Sequence, residues 1–150
     1  MQAYGSKAID ASLLRIPLVG FLPATDPRVQ GTIAAVEHRL MKDGLVMRYD
    51  TSDGSDGLPP GEGAFLACSF WLASVLYLSG RVDEAHALYQ RLLDLRNPLG
   101  LIAEEYDTEA KRQVGNYPQA FTHLTMAHAA VILSGGKGLW SEGAATSQKC

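Results

Sequence analysis

The sequence predicts an all-α fold built of antiparallel helical hairpins, and three observations carry that prediction. Apolar residues recur at spacings of three and four along several segments, helix start and stop residues bracket those segments, and no run of alternating β-branched residues is long enough for a sheet. With 150 residues, 47% hydrophobic and 19% charged, the chain suits one ordinary domain or a piece of a larger one.

The first element covers Ile9 to Ile16 and is expected to stop at Pro17. Thr25-Asp26-Pro27 opens the second helix, with Asp26 as N-cap and Pro27 in the first helical position. Val29, Ile33, Val36 and Leu40 form its apolar stripe, and Gly44 is expected to end it. Residues 63–78 are apolar almost all round, including Phe65, Leu66, Cys68, Phe70, Trp71, Leu72, Val75, Leu76 and Leu78. A helix of that kind packs on several sides. The tight turn Ser79-Gly80-Arg81 joins it to an amphipathic helix from Val82 to Arg96, on which Val82, Ala85, Leu88, Leu92 and Leu95 share a face. Pro118 opens a last helix carrying Phe121, Leu124, Val131 and Ile132, ended by Gly135-Gly136. The folded part is therefore 1–136, with 137–150 a flexible tail lacking any packing signal.

Two connections are long, Asp43–Gly61 and Asn97–Tyr117, while the one at Gly80 is short. Long loops in compact domains are often functional. Helical hairpins that alternate long and short connections put the long ones at one end, so a binding site is expected there.

Several function classes are excluded. Lys plus Arg number 13 against 16 Asp plus Glu, and no basic block appears, so no nucleic-acid partner is expected. No apolar run reaches about 18 residues, so no membrane partner is expected either. Cys68 and Cys150 form neither a disulfide framework nor a paired zinc pattern, and Cys68 reads as a small core residue. The N-terminus lacks the layout of a secretory signal, and a cytoplasmic setting is the default.

The acidic loop Asp50-Thr51-Ser52-Asp53-Gly54-Ser55-Asp56-Gly57 is not a calcium loop: its acids recur every third residue, and the twelfth position is Gly61 rather than Glu. Gly135-Gly136-Lys137-Gly138 lacks the spacing of a phosphate-binding loop. His123 and His128 lie about 140° apart on a helix, too far for a shared metal. His128 is expected to pack on the Phe121/Leu124/Val131 stripe, with His123 on another face. No metal or cofactor is expected. What remains is carboxylate chemistry. Ala103-Glu104-Glu105-Tyr106-Asp107 sets two adjacent acids in an apolar and aromatic context inside the second long loop. In an extended segment neighbouring side chains point opposite ways, so one acid can face a cleft and the other solvent or a backbone donor. Glu62 stands where a helix dipole would stabilise it.

Asp10-Ala11-Ser12-Leu13-Leu14, Val19-Gly20-Phe21-Leu22-Pro23, Gly61-Glu62-Gly63-Ala64-Phe65-Leu66, Ala103-Glu104-Glu105-Tyr106-Asp107 and Gly115-Asn116-Tyr117-Pro118-Gln119-Ala120-Phe121-Thr122-His123-Leu124 occur in that order. Together they resemble the C-terminal part of glycoside hydrolase family 15, the glucoamylases and bacterial trehalases. The resemblance implies the C-terminal portion of an (α/α)6 barrel and an inverting mechanism on α-linked glucosides, whether oligosaccharide, polysaccharide or trehalose. A carboxylic acid protonates the leaving oxygen, and a carboxylate about 6.5–9.5 Å away activates water. The family's general base falls on Glu104. Arg48 and Tyr49 match an Arg-Tyr pair whose arginine binds sugar hydroxyls, a task its planar fork suits. Glu62 and Tyr106 are expected to line the same cleft, with Gln119 and His123 behind it.

The family's general acid lies in the N-terminal half, in a Trp-Glu-containing motif. Here Trp71 and Trp140 are followed by Leu72 and Ser141. The expectation is therefore a C-terminal fragment that carries the base, has little activity without the N-terminal half of the barrel, and exposes apolar helix faces that this half would cover. The alternative is an α-solenoid binding module of tetratricopeptide type. The hairpin of residues 62–96 has the right size, but three similar units near 34 residues are needed and one is found. A fold retained after loss of chemistry is a third possibility.

Overall fold

The structure, a computed structural model, describes residue 5 and residues 8–50 and 63–136. The expected Glu62 and the tail 137–150 lie outside the described residues. Helices dominate, and each predicted helix is present with shifted ends.

Asp10 caps the first element by accepting from the Ser12 N–H at 2.7 Å. A 3₁₀ turn, Ala11–Leu14, runs directly into α1, Arg15–Leu18. Pro17 lies inside α1 rather than ending it. It sits in the first turn, where backbone N–H groups lack intrahelical partners and a missing one costs nothing. The stop comes at Gly20, whose N–H reaches the Pro17 carbonyl at 3.1 Å while the Phe21 N–H reaches Ile16 at 3.2 Å.

α2, Pro27–Leu40, starts as predicted: Asp26 accepts from the Arg28 N–H at 2.9 Å. Val29, Ile33, Val36 and Leu40 are all buried. The helix ends at Leu40, four residues before Gly44, because a small hairpin intervenes. Strands β1, Met41–Lys42, and β2, Leu45–Val46, pair across Asp43-Gly44. Both turn residues have positive φ, 49° and 69°, the geometry that a two-residue hairpin turn requires and that Asp-Gly supplies.

β3, Ala64–Phe65, precedes α3, Leu66–Leu78. Every residue of α3 from Leu66 to Leu76 is buried. α4, Val82–Asp94, returns antiparallel to it, buries Ala85 and Leu92, and stops short of Arg96. Arg81 ties this turn to α2, since its guanidinium donates to Glu37 and Glu84 at 2.8 Å each.

The second long connection also contains sheet structure. β4, Glu105–Asp107, and β5, Arg112–Val114, form a hairpin to which β3 adds, giving the antiparallel order β3-β4-β5. The absence of strands expected from the sequence is thus corrected at a fine scale: strands of two or three residues are too short to show an alternating pattern. α5, Ala120–Leu133, begins two residues beyond Pro118 and packs on α3. The core has two parts that meet along α3, one toward α1 and α2, the other around Phe70, Leu92, Ile102 and Ala129. Among the described residues no helix is long and apolar enough to cross a membrane.

The hairpin β1-β2 is fixed to α3 through one buried hydrogen bond, the Val46 N–H donating to Ser69 Oγ at 2.8 Å. Ser69→Ala leaves that N–H unpaired in a site closed to water. It should lower unfolding stability by about 1–3 kcal/mol, read from chemical denaturation with the slope unchanged.

Candidate active site

Glu104, the residue before β4, is held by its main chain. Its N–H donates to the Asn116 carbonyl at 3.0 Å, and its own carbonyl accepts the Leu66 N–H at 3.0 Å. The second bond satisfies a donor at the start of α3, which has no side-chain cap. The Glu104 side chain is half-buried, and its Oε2 accepts from the Asn116 N–H at 3.1 Å and from Asn116 Nδ2 at 2.8 Å.

Its neighbour does a different job. Glu105 Oε2 accepts the Gly63 N–H at 3.0 Å, fastening the segment that leads into β3. The two adjacent carboxylates therefore serve separate donors, as alternation along an extended chain requires. Asp107 closes the β4-β5 hairpin by accepting from the Glu109 and Ala110 N–H groups at 3.0 and 2.9 Å. The backbone N–H of Ala110 is the main cause that holds the Asp107 carboxyl below the usual carboxylate range. Tyr106, in mid-β4 between Ala64 and Gln113, packs against the second part of the core.

Gln119 caps α5 and donates its N–H to the Ile102 carbonyl at 3.0 Å. His123, one turn on, places Nδ1 2.7 Å from the Gln119 carbonyl oxygen. A carbonyl only accepts, so Nδ1 carries the hydrogen, and Nε2 is a buried atom without a partner among the described residues. Glu104, Asn116, Gln119 and His123 thus belong to one connected group around the 102–104 segment.

Arg48 and Tyr49 arrive by a separate route. Arg48 follows β2, its carbonyl accepts the Ala11 N–H at 2.8 Å, and its guanidinium lies 5.3 Å from the centroid of the Tyr49 ring. Tyr49 bridges to Asp10. Both lie toward the N-terminal end of α3, where Cys68 feels the charges of Asp10 and Arg48. Burial pushes that thiol well above its usual range, Asp10 adds to the shift and Arg48 opposes it. Cys68 is a core residue, as the sequence suggested.

His128 lies beside Phe121 and Leu124, as expected, but the Phe121/Leu124/Val131 stripe is not the buried face of α5. Those three side chains are 39%, 61% and 46% exposed, while α5 buries Thr122, Thr125, Ala129, Ile132 and Leu133. Along the first three turns the buried positions are the small Thr122, Thr125 and Ala129, which permit close approach, and the last turn adds Ile132 and Leu133; Phe121, Leu124 and Val131 are left largely outward. Beside them is a recess of about 180 Å³ lined by Arg15, Leu18, Val19, Trp71, Phe121, Leu124, Thr125 and His128. The Arg15 guanidinium lies 5.5 Å from the Trp71 ring centroid, and Phe121 meets that ring edge-on at 5.8 Å. Among the described residues no group of three His, Cys, Asp or Glu side chains could hold a metal.

Sequence reasoning passed over two residues of this site. Asn116, quoted only as part of a string, supplies both donors to Glu104. Gln113 joins β5 to the chain on either side, accepting from the Ala103 N–H and donating to the Leu95 carbonyl at 2.7 Å. The Gly115-Asn116 pair between two apolar segments was the available signal, since such pairs mark turns in which a side-chain amide finds backbone partners.

The fold is one of packed helical hairpins with Glu104, Glu105 and Asp107 on the connection between α4 and α5, and it is shared with known glycosidases. One solved structure described as a wild-type glycosidase superimposes with a TM-score of 0.71 at 25% identity, covering 89% of this chain and 38% of that one. A glycosidase variant in complex with glucose gives 0.72 at 23% identity. The family model for glycosyl hydrolases family 15 matches residues 1–131, and the chain belongs to that family. It is 49% identical to a trehalase of Mycobacterium tuberculosis and 43% identical to one of Thermoplasma acidophilum, each over 87% of its length. It spans only 19% and 22% of those two proteins, about a fifth. The fold is accordingly the C-terminal portion of an (α/α)6 barrel, and the solenoid alternative is set aside.

Desolvation holds His128 below its usual value of 6.5, so the folded chain keeps this imidazole neutral where the unfolded chain has begun to protonate it. The unfolded state therefore binds more protons in that window, and the His128 contribution to stability is lost as pH falls below about 6.5. His128→Gln should flatten this part of the curve of melting temperature against pH between about 7 and 5. An unchanged slope would show that His128 titrates normally in the folded chain.

Proposed function

We propose that the chain supplies the general base of an inverting hydrolase acting on α-linked glucosides, with trehalose as the substrate, and that Glu104 is that base. The observation that carries this reading is the Glu104 carboxylate itself: half-buried in a family-15 chain, with Oε2 engaged by Asn116 and Oε1 left without a hydrogen bond among the described residues. In the reaction, Glu104 takes a proton from a water molecule, whose oxygen attacks the anomeric carbon. The carbon–oxygen bond to the leaving sugar breaks on the opposite side, and an acid from the N-terminal part of the barrel protonates the leaving oxygen. The product carries its hydroxyl with inverted configuration.

Arg48 donates to sugar hydroxyls with Tyr49 beneath its guanidinium, Glu62 and Tyr106 line the cleft, and Gln119 and His123 support the segment behind Glu104. The relatives named as trehalases support the substrate. The partner of this chain is the N-terminal part of the barrel. The outward Phe121, Leu124 and Val131 on α5 support that reading, because a soluble helix seldom leaves three large apolar side chains uncovered on one stretch.

A chimera joining the N-terminal part of the Mycobacterium tuberculosis trehalase to this chain tests the assignment. It should hydrolyse trehalose, and Glu104→Gln should lower kcat by about 10²–10⁴-fold with substrate binding retained. Near-normal turnover in that variant rejects Glu104 as the base. This chain alone should show no turnover. Supplied as two separate pieces, the halves should regain activity, and Leu124→Glu, which sets a charge on the outward face of α5, should prevent the recovery while leaving the helical circular dichroism of the chain intact.

A further inference from the structure

We propose that Asn116 is a positioning residue that clamps Glu104 through Oε2 and so assigns proton abstraction to Oε1; this rests on the general-base reading above. Two donors of one residue converge on one oxygen, the Asn116 N–H at 3.1 Å and Nδ2 at 2.8 Å. A third bond, from the Glu104 N–H to the Asn116 carbonyl at 3.0 Å, fixes the two main chains against each other. The carboxylate is thereby held by the segment opposite it, with little freedom to rotate.

Gly115 makes the approach possible. Its φ is +76°, a conformation side chains disfavour, and a Cβ there would stand 3.1 Å from both Glu104 Cβ and Oε2. The segment is thus shaped around the carboxylate. Since Oε2 has two donors, its lone pairs are committed, whereas Oε1 takes no hydrogen bond among the described residues. A water that gives up its proton must do so to an oxygen with a lone pair available and aimed at it, and a carboxylate held at one oxygen presents the other in a fixed direction.

The clamp itself is tested by NMR on this chain. Glu104→Ala should move the Asn116 backbone and side-chain amide proton signals, and Glu104→Gln, whose carbonyl can still accept, should leave them nearly in place. Amide signals indifferent to Glu104→Ala overturn the proposal. Its consequence is tested in the trehalase chimera. Asn116→Ala should reduce kcat by up to about 100-fold with KM within about twofold, as expected when a reacting group is displaced but binding is not. Asn116→Asp, equal in shape but without the amide donor and with a charge facing Glu104, should be slower still. In a Glu104→Gln background, Asn116→Ala should cause no further loss, since it acts only through that carboxylate. Losses that multiply in the double variant, or a raised KM with kcat unchanged, overturn the proposal. A clamp seen by NMR together with normal turnover of Glu104→Gln would instead locate the failure in the general-base reading.

Discussion

A helix that is apolar on every side must be surrounded, and α3 imposes that condition on the whole chain. All residues from Leu66 to Leu76 are buried, so α4, α5, α1, the 3₁₀ turn and β2 are arranged around it. Burying so much apolar surface drives the assembly, and it leaves the few polar groups on α3 in need of partners. Ser69 accepts the Val46 N–H, and Ser74 donates back to the Phe70 carbonyl at 2.9 Å. At the N-terminus no side chain caps the helix, and the Leu66 N–H is met by the carbonyl of Glu104. The candidate base is therefore attached by its main chain to the most rigidly packed element of the fold, while its side chain stays half-exposed.

The second constraint is the division of labour between two adjacent acids. Glu104 and Glu105 have the same chemistry and nearly the same place in the sequence. The extended backbone sends one toward Asn116 and the other toward Gly63. Each carboxylate satisfies a backbone N–H, so neither is merely surface charge. They differ in what they hold: Glu105 secures the approach to β3, whereas Glu104 is itself secured. A group that is held, with one oxygen uncommitted among its described neighbours, can do chemistry without loosening the fold.

The helices were legible in the sequence because their signals are local. Asp26-Pro27 opened α2, the stripe from Val29 to Leu40 marked the buried face of that helix, and Gly80 closed α3. Pro17 misled because a proline in a first turn looks in sequence like one that breaks a helix, and only the hydrogen bonds at Gly20 tell them apart. The two hairpins were hidden by their length. Asp43-Gly44 was nevertheless a readable turn signal, overlooked because it followed a helix instead of a strand. For the site, the motif around Glu104 pointed to the acid, but Asn116 could not be assigned a role. Its partnership joins positions 12 apart across a hairpin whose register is not written in any one segment.

The outward face of α5 follows from a conflict that periodicity alone cannot resolve. The helix is apolar over most of its circumference, so two faces compete for the core. Thr122, Thr125 and Ala129, followed by Ile132 and Leu133, take the buried side, and the small residues in the first turns leave room for the Phe70 and Trp71 that α3 already carries. Leu124 and Val131 are then left outward, and Phe121 sits at the margin, one edge on Trp71 and the rest exposed. A helix that lies alone on a surface gains nothing from a second apolar face. One that stands between two neighbours needs both. Under the proposed function, α5 is such an interior member of a helical ring. Its recess against Trp71 and Arg15 is the contact that, under the proposed function, the preceding part of the barrel would fill.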